Sequence, residues 1–194
     1  ITRTAARVPS WCNAQPWQVH VTRKAETDRF REKLYATALA ESSKPDLDWP
    51  KQYTGAYLDR RRTCGFQLYD AVGIAKGDRA ASGKQMMENY RLFGAPHVAI
   101  ITSEADLGTY GIMDTGGFIA LWTIAAEAAG VASVPQAAVA AFAPLLRAEF
   151  DIPEHRRILC AISFGYEDTD APINAFRTER AEMSEVLLWA RKDH

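Results

Sequence analysis

The sequence predicts one α+β domain, because patterns typical of strands and of helices alternate along its 194 residues. Two continuous apolar runs of strand length, residues 97–102 and 158–165, give the clearest strand signals. Helical patterns fill most of the intervals between strand patterns. Hydrophobic residues make up 47% of the chain, which is near the globular average and indicates an ordered fold. The length suits one well-packed domain over residues 1–194.

The first half of the chain contains one strand pattern followed by three helical patterns. Gln18–Thr22 alternates polar and apolar residues, which predicts a half-buried strand. Thr2–Val8 has the pattern of a helix end, so we expect an N-terminal segment to precede Ile1. Helices are expected at Glu26–Leu39, Tyr57–Val72 and Ser82–Leu92, with a polar surface loop at Ser42–Tyr53.

The middle of the chain contains a buried strand pattern and the longest apolar helix pattern. His97–Thr102 predicts a central strand that is buried on both faces, and Glu104–Gly111 predicts a polar loop. Asp114-Thr115 would cap a helix over Gly116–Ala129, which Gly130 ends. Because nearly every position in this helix is apolar or small, we expect it to be buried nearly all round, in the middle of the core or at a subunit interface.

The last third of the chain combines turn signals with one strong strand pattern. Val131–Phe142 predicts a turn with a short helical piece at Pro135–Ala138, because Ser133 and Gln136 have the spacing of a capping box. Small residues there leave backbone N–H groups accessible, and such donors stabilise negative charge on a ligand. A helix from about Pro144 to Phe150, a strand over Arg157–Tyr166 and a final helix over Met183–Trp189 are also expected.

The charge balance and the apolar windows exclude two classes of partner. The formal net charge is -1, so no excess of either sign favours a nucleic acid or an anionic membrane surface. The longest apolar windows, such as Phe118–Ala126, are too short to span a bilayer, and no signal peptide is visible. We therefore expect neither a nucleic acid nor a membrane as partner.

The cysteines and histidines predict neither a disulfide framework nor a metal site. The 3 cysteines are far apart and form no C-x-x-C pair, so we expect a reducing, cytoplasmic compartment. Cys160 lies in an apolar run and is expected to be a buried small hydrophobe. Cys12 has no base near it in the sequence that would make it a nucleophile. The histidines lack the spacing of metal ligands.

A short stretch between the first helix and the first strand carries the most specific pattern. Two prolines bracket residues 9–17, so neither a helix nor a strand ladder runs through them. Ser10, Asn13 and Gln15 offer polar groups that can bond a flat heteroaromatic ring, between the bulky Trp11 and Trp17. The ordinary interpretation is a connection with Trp17 in the core. The pattern P-S-x-x-N-x-Q-P-W, however, resembles the signature loop of the FMN-dependent nitroreductase family.

Further motifs follow in the order found in that family. They are F-G-A-P-H-V-A-I-I at Phe93–Ile101, A-A-E-A-A-G-V at Ala125–Val131, S-V-P-Q-A-A at Ser133–Ala138, and N-A-F-R-T-E-R at Asn174–Arg180. Each of the middle motifs is weak alone, whereas all of them in the same order are strong. The resemblance covers most of the chain and implies a nitroreductase-like α+β fold. In that fold, helices flank a mixed, mostly antiparallel central sheet, and two chains form an interwoven homodimer.

The resemblance also implies a site for FMN at each dimer interface. One subunit would contact the flavin through Pro9, Ser10, Trp11 and Asn13. The other would line the ring through Pro135, Gln136, Ala137 and Ala138, with a backbone N–H near flavin N5. Arg177 and Arg180 would hold the phosphate, and planar guanidinium groups suit that role chemically.

The activity that the resemblance implies is hydride transfer in a ping-pong cycle. NAD(P)H would reduce the flavin at N5, and a nitroaromatic, a quinone or a similar small aromatic acceptor would then be reduced. No side chain needs to act as an acid or a base. The alternatives are another reduction on the same fold, by a dehalogenase or an enone reductase, and a flavin-binding protein without turnover in which Trp11 blocks the acceptor pocket.

Four features leave questions of specificity open. The basic run Arg60-Arg61-Arg62 is either a solvated helix surface or the source of a contact from Arg60 or Arg62 to an acidic acceptor. Many relatives carry an Arg-Arg-Ser-x-Arg phosphate segment that would lie before Ile1. Trp11 stands where small polar residues are common in the family. Gln136-Ala137-Ala138 replaces a Glu-Gly pair of some relatives, so no side-chain role is transferred to it.

Overall fold

The computed structural model describes residues 1–190 as two compact units. The first comprises Ile1–Trp49 and Ala80–Glu167, and the second comprises Pro50–Arg79 with the described residues from Asp168 onward. Among residues 1–190, no helix has both the length and the apolar character needed to cross a membrane.

The described strands all belong to the first unit and form one antiparallel sheet. They are β1 Gln18–Val21, β2 His97–Glu104, β3 Ala132–Gln136 and β4 Arg156–Gly165. The order across the sheet is β1-β2-β4-β3, so β2 and β4 are central and β1 and β3 form the edges. The strands predicted at residues 18–22, 97–102 and 157–166 are confirmed.

The helices agree with most of the predicted ones, and their ends are as follows. The α-helices are α1 Thr2–Ala5, α2 Lys24–Ala40, α3 Gly55–Ala71, α4 Arg79–Met87, α5 Gly108–Ala128, α6 Ala143–Phe150 and α7 Met183–Val186. Short 3-10 helices cover Trp11–Asn13, Glu88–Gly94, Ala105–Leu107, Ala137–Phe142 and Pro172–Asn174. The helices predicted at residues 26–39, 57–72 and 82–92 are confirmed, the last as α4 continued by a 3-10 helix.

The two central strands are buried on both faces, as their continuous apolar sequences predict. On one face, Val98 and Ile100 pack in a cluster with residues of α2 and α6. On the other face, Ala99 and Ile101 pack with Phe118 of α5. The pairing of β2 with β4 shifts after Ile101, which leaves Leu159 without a residue opposite it, in the manner of a β-bulge.

Cys160 lies in the cluster beneath α5. Its side chain is buried, and burial raises the pKa of its thiol to about 12. The expectation of a buried small hydrophobe is confirmed. Trp17 lies at the margin of the same cluster and stacks on Phe118, with ring centroids 5.2 Å apart.

The long apolar helix begins earlier than the sequence predicts. The expected polar loop at Glu104–Gly111 is wrong, because α5 already begins at Gly108. A Cβ on Gly111 would lie 2.8 Å from Leu107 Cβ, so the absence of a side chain allows the chain to pack closely here. Asp114 and Thr115 lie inside the helix and do not cap it, and the Thr115 hydroxyl donates to the Gly111 carbonyl oxygen over 2.7 Å. The end near Gly130 is confirmed.

The described chain buries only one face of α5. The buried positions recur at helical spacing and are Gly111, Thr115, Phe118, Trp122 and Ala126. Met113 and Ile124 on the opposite side are 61% and 64% exposed. Burial nearly all round is therefore wrong for the chain by itself, and the subunit interface stays a prediction.

The segment before α6 is a strand where the sequence predicted a turn. β3 covers Ala132–Gln136 and pairs with β4, and the 3-10 helix Ala137–Phe142 follows it. Ser133 lies in the strand opposite Phe164, so the capping box is wrong. Pro135 is compatible with a strand because β3 is an edge, where a missing backbone donor is tolerated. The helix predicted at residues 144–150 is confirmed as α6.

The second unit contains α3, a 3-10 turn and α7. The helix expected over Met183–Trp189 is wrong beyond Val186, because α7 is a single turn. Leu188 and Trp189 are 79% and 84% exposed, so no packing stabilises a longer helix there, and isolated short helices are marginal. The Glu182 and Glu185 side chains form a capping box for this turn.

Candidate functional site

The loop over residues 9–17 is backbone-strained and exposes polar and aromatic side chains. Cys12, Asn13 and Gln15 have φ angles of 49°, 57° and 49°, which non-glycine residues adopt rarely. Trp11 is 60% exposed, and Asn13 is also exposed. A conformation of this kind persists only where surrounding groups fix it.

Two hydrogen bonds and one ring contact fix the front of this loop. The Trp11 backbone N–H donates to Asp114 Oδ2 of α5 over 2.9 Å, and the Gln15 N–H donates to Ser10 Oγ over 2.9 Å. The Trp11 ring lies against Tyr110, also on α5, with centroids 4.6 Å apart. Helix α5 therefore holds both the backbone and the side chain of Trp11.

A buried guanidinium group fixes the back of the loop. Arg156, at the start of β4, is 4% exposed, and its Nη2 donates to the Pro16 carbonyl oxygen over 2.6 Å. The same side chain donates to Thr102 Oγ1 and to the Thr102 carbonyl oxygen, each over 3.1 Å. Glu104 supplies a carboxylate oxygen 3.5 Å from Nη1. Burial lowers the pKa of Arg156, and the charge of Glu104 opposes that effect.

The positive charge of Arg156 acts on His20 of β1. Its Nε2 is buried and has no hydrogen-bond partner among the described residues. Burial lowers the pKa of His20, and the positive charge of Arg156 lowers it further. A neutral imidazole is the form that this environment favours.

The end of β3 and the residue that follows it have a different construction. Pro135 and Ala137 are exposed, whereas Gln136 between them is only 3% exposed. Gln136 Nε2 donates to the carbonyl oxygen and to Oδ1 of Asn89, over 3.0 and 3.2 Å. The Ser163 hydroxyl of β4 donates to Gln136 Oε1. Ala137 is thus an exposed residue directly after a side chain that is buried and hydrogen-bonded.

The chain brings the predicted flavin contacts together in two groups, not one. Residues 9–13 precede β1 and residues 137–138 follow β3, and these strands are opposite edges of the sheet. Three strand spacings separate the edges, which amounts to roughly 14 Å.

The arginines predicted to bind the FMN phosphate or an acidic acceptor all lie in the second unit. Arg177 and Arg180 are exposed, and each directs Nη1 to backbone carbonyl oxygens of its own segment, at 2.7 Å from Asn174 O and 3.0 Å from Glu179 O. Arg60 pairs with Glu185 over 2.8 Å, while Arg62 is exposed. The ion pair leaves Arg62 as the more available of the two candidates for an acidic acceptor.

Comparison with known proteins identifies the family to which these features belong. The profile of the nitroreductase family matches residues 1–166. The chain belongs to the nitroreductase family. The resemblance found in the sequence motifs is therefore confirmed, and so is the nitroreductase-like α+β fold.

Similar members of the family include nitroreductase NfnB of Mycolicibacterium smegmatis, which is 36% identical over 96% of this chain and 80% of its own length. The 4-nitrobenzoate reductase of Nocardioides sp. is 31% identical over 100% of this chain and 81% of its own length. The crystal structure of the FMN-dependent NfnB from Mycobacterium smegmatis in complex with NADPH superposes with a TM-score of 0.91. It is 34% identical and covers 97% of this chain and 85% of the other.

The sequence motifs led to the exposed side chains of the site but missed the residues that hold them. The sequence pattern predicts Asp114 to be a helix cap, and the predicted strand begins one residue after Arg156. Both act on the loop across more than 100 positions of sequence. The one available signal was an arginine beside an apolar strand, where a buried charge requires partners.

Proposed function

We propose that this member of the nitroreductase family is an FMN-dependent oxidoreductase. It takes reducing equivalents from NAD(P)H and delivers them, in a ping-pong cycle, to a nitroaromatic, a quinone or a similar small aromatic acceptor. The support comes from relatives that are named as nitroreductases, one of them FMN-dependent and complexed with NADPH. FMN supplies the redox chemistry at its N5, and the protein binds and orients it.

The residues present suit a flavin. The loop offers the Ser10 hydroxyl and the Asn13 amide beside the exposed Trp11 ring, and these groups match the polar edge and flat face of an isoalloxazine ring. The segment after β3 offers Ala137, an exposed residue whose side chain is a single methyl group. We assign Pro9, Ser10, Trp11 and Asn13 to one side of the ring and residues 135–138 to the other.

The single observation that carries the proposal is the position of these two groups at opposite edges of one sheet. Two copies of the chain can bring the loop of one copy to the β3 segment of the other. The exposed apolar face of α5, with Met113 and Ile124, offers surface for such a contact. A homodimer with FMN at its interfaces is therefore part of the proposal.

The phosphate of FMN is assigned to Arg177 and Arg180. Both guanidinium groups are exposed, and planar donor forks suit phosphate oxygens. The double variant Arg177→Ala, Arg180→Ala should weaken FMN binding at least tenfold, while riboflavin, which lacks the phosphate, binds as it does to the wild type. Fluorescence titration measures both affinities. Full FMN occupancy in the double variant would remove this assignment.

An acidic aromatic acceptor is the favoured substrate subclass, because a relative is named as a 4-nitrobenzoate reductase and Arg62 is exposed. Rates on 4-nitrobenzoate and on an uncharged nitroaromatic compare the two classes. Arg62→Gln should raise the KM for the carboxylated acceptor only. Equal rates for both acceptors in the wild type would remove the reason for this assignment.

A cytoplasmic location completes the proposal, since the cysteines of the chain are free thiols.

An anaerobic absorbance spectrum, before and after addition of NADPH and then NADH, tests the proposal as a whole. A flavin spectrum that bleaches is expected, and the rates rank the two donors. Bound flavin that neither donor bleaches would favour a flavin-binding protein without turnover. Bleaching without reduction of any nitroaromatic or quinone would favour the dehalogenase or enone reductase alternatives. A protein that binds no FMN would contradict the proposal.

A further inference from the structure

Gln136 is a buried amide inside an otherwise exposed stretch of chain. Its neighbours Pro135 and Ala137 are exposed, yet its own side chain is 3% exposed. Burial of an amide is unfavourable unless each polar atom has a partner. The partners of Gln136 therefore reveal what the side chain does.

Both ends of the amide are hydrogen-bonded to separate elements. The Ser163 hydroxyl of the central strand β4 donates to Oε1. Nε2 donates to the Asn89 carbonyl oxygen over 3.0 Å and to Asn89 Oδ1 over 3.2 Å, in the 3-10 helix Glu88–Gly94. A main-chain carbonyl only accepts, so the NH₂ end must point to Asn89 and the amide has one orientation.

The next peptide is the one that the proposed function sets against the flavin ring. Ala137 directly follows the Gln136 anchor in the chain, and its own methyl side chain is not buried. The anchored amide and the pairing of Gln136 with Ala161 fix the Gln136 Cα atom, from which the joining peptide leads to Ala137. The residue from which the Ala137 peptide starts is thereby held by three hydrogen bonds inside the protein.

We propose that Gln136 is a positioning residue, which fixes the Ala137 N–H toward bound FMN and thereby raises the redox potential of the flavin. This inference rests on the proposed function. A donor that is held in place stabilises the reduced flavin, which is richer in negative charge, more than the oxidised flavin. Gln136 acts through the backbone and does not touch the reacting atoms.

The midpoint potential of the FMN-loaded protein, measured by anaerobic dye titration, tests the inference. Gln136→Met keeps the volume and removes all three hydrogen bonds. We expect the preference for reduced over oxidised FMN to fall about tenfold, which lowers the two-electron potential by roughly 30 mV. Ser163→Ala removes only the hydrogen bond to Gln136 Oε1 and should lower the potential by a smaller amount. This variant provides the test if Gln136→Met folds poorly.

A matched control separates positioning from general stability. Thr27 of α2 is fully buried, and its hydroxyl donates to the Arg23 carbonyl oxygen over 3.0 Å. Thr27→Val should lower the melting temperature without changing the potential. A wild-type potential in both Gln136→Met and Ser163→Ala, or an equal shift in Thr27→Val, would overturn the inference.

Gln136→Glu gives a second, pH-dependent readout. A protonated glutamate can donate to Asn89 and accept from Ser163, whereas its carboxylate would face the Asn89 carbonyl oxygen. Both partners are uncharged, and the nearby charges Glu88 and Arg91 pair with each other over 3.5 Å. The potential of this variant, relative to the wild type at each pH, should therefore recover as the pH falls.

If the difference in redox potential between Gln136→Glu and the wild type did not change with pH, that result would count against the inference. The failure of the wild type to bind FMN would instead remove the proposed function, and the inference with it. Wild-type FMN binding and bleaching, combined with an unchanged potential in the variants, would overturn the inference alone.

Discussion

The two surfaces proposed to contact the flavin are held in opposite ways. The loop over residues 9–17 has one internal bond, from Gln15 N–H to Ser10 Oγ, and is otherwise fixed from outside, because Asp114 and Arg156 bond its backbone from distant elements. The end of β3 is fixed from within, because its own last residue, Gln136, reaches into the protein. A loop with strained backbone depends on residues elsewhere in the sequence, whereas a strand end can carry its own anchor. Substitutions of Asp114 and Arg156, far from the loop in sequence, should therefore disturb its conformation.

Arg156→Met should cause the largest loss, because it removes the external anchor at the back of the loop. The carbonyl oxygens of Pro16 and Thr102 lose buried donors, and Glu104 loses its buried counter-charge. We expect the free energy of unfolding to fall by about 3 kcal/mol. Urea unfolding measures this change. Arg157→Met is the matched control, since Arg157 is exposed on the same strand and should change stability by less than about 0.5 kcal/mol. Equal losses in both variants would contradict the anchoring role.

Asp114→Ala should have a smaller effect that is concentrated on flavin binding. It removes the acceptor of the Trp11 N–H, which contributes about 1 kcal/mol to stability. The dissociation constant of FMN should rise several-fold, as measured by fluorescence titration. Asp114→Asn keeps an oxygen acceptor and should bind FMN almost as tightly as the wild type. Equal weakening in the two variants would assign the effect to charge and not to the hydrogen bond.

The pH dependence of stability tests the electrostatics behind the loop. The pKa of His20 is lowered from 6.5 in the folded chain, so below pH 6.5 the unfolded chain binds the proton more readily. Stability should fall as the pH drops from 6.5 toward the folded pKa, and it should not depend on His20 above 6.5. His20→Gln should flatten this part of the melting-temperature profile by a few degrees or less. An unchanged profile would exclude His20 as its source.

Thiol reactivity should give the smallest signal and bears on the loop alone. Cys12 and Cys64 are exposed, whereas burial raises the pKa of Cys160 to about 12. A disulfide reagent should modify the first two thiols and spare the third. FMN should slow the reaction of Cys12 without changing that of Cys64. The variants Cys64→Ser and Cys12→Ser each leave one of these two thiols, so each rate can be assigned to one cysteine. Protection of both thiols, or of neither, would argue against flavin contact at the loop.

The contrast between the two surfaces also explains what the sequence could predict. The strands at residues 97–104 and 156–165 were predictable, because burial on both faces leaves a continuous apolar run. β3 was not, because Ala132–Gln136 contains proline and becomes a strand only by pairing with β4. The start of α5 was missed, because the close approach at Gly111 is a tertiary property.

The same limit applied to the candidate site. The exposed residues of the loop were visible as a motif, since their spacing is local. Asp114 and Arg156 were not, because their roles depend on contacts across 103 and 140 positions of sequence. The hydrogen-bonded amide of Gln136 was also invisible, because nothing in S-V-P-Q-A-A indicates that Asn89 and Ser163 lie beside it.

The separation of the two surfaces on opposite edges of the sheet has a consequence for how the protein behaves on dilution. Under the proposed function, a two-fold axis that joins the loop of one copy to the β3 segment of another creates the reciprocal site as well. Both sites then form together or not at all, with one cofactor for each chain. By mass action, cofactor loading should decline as the total protein concentration falls, and excess cofactor should hold the pair of chains together.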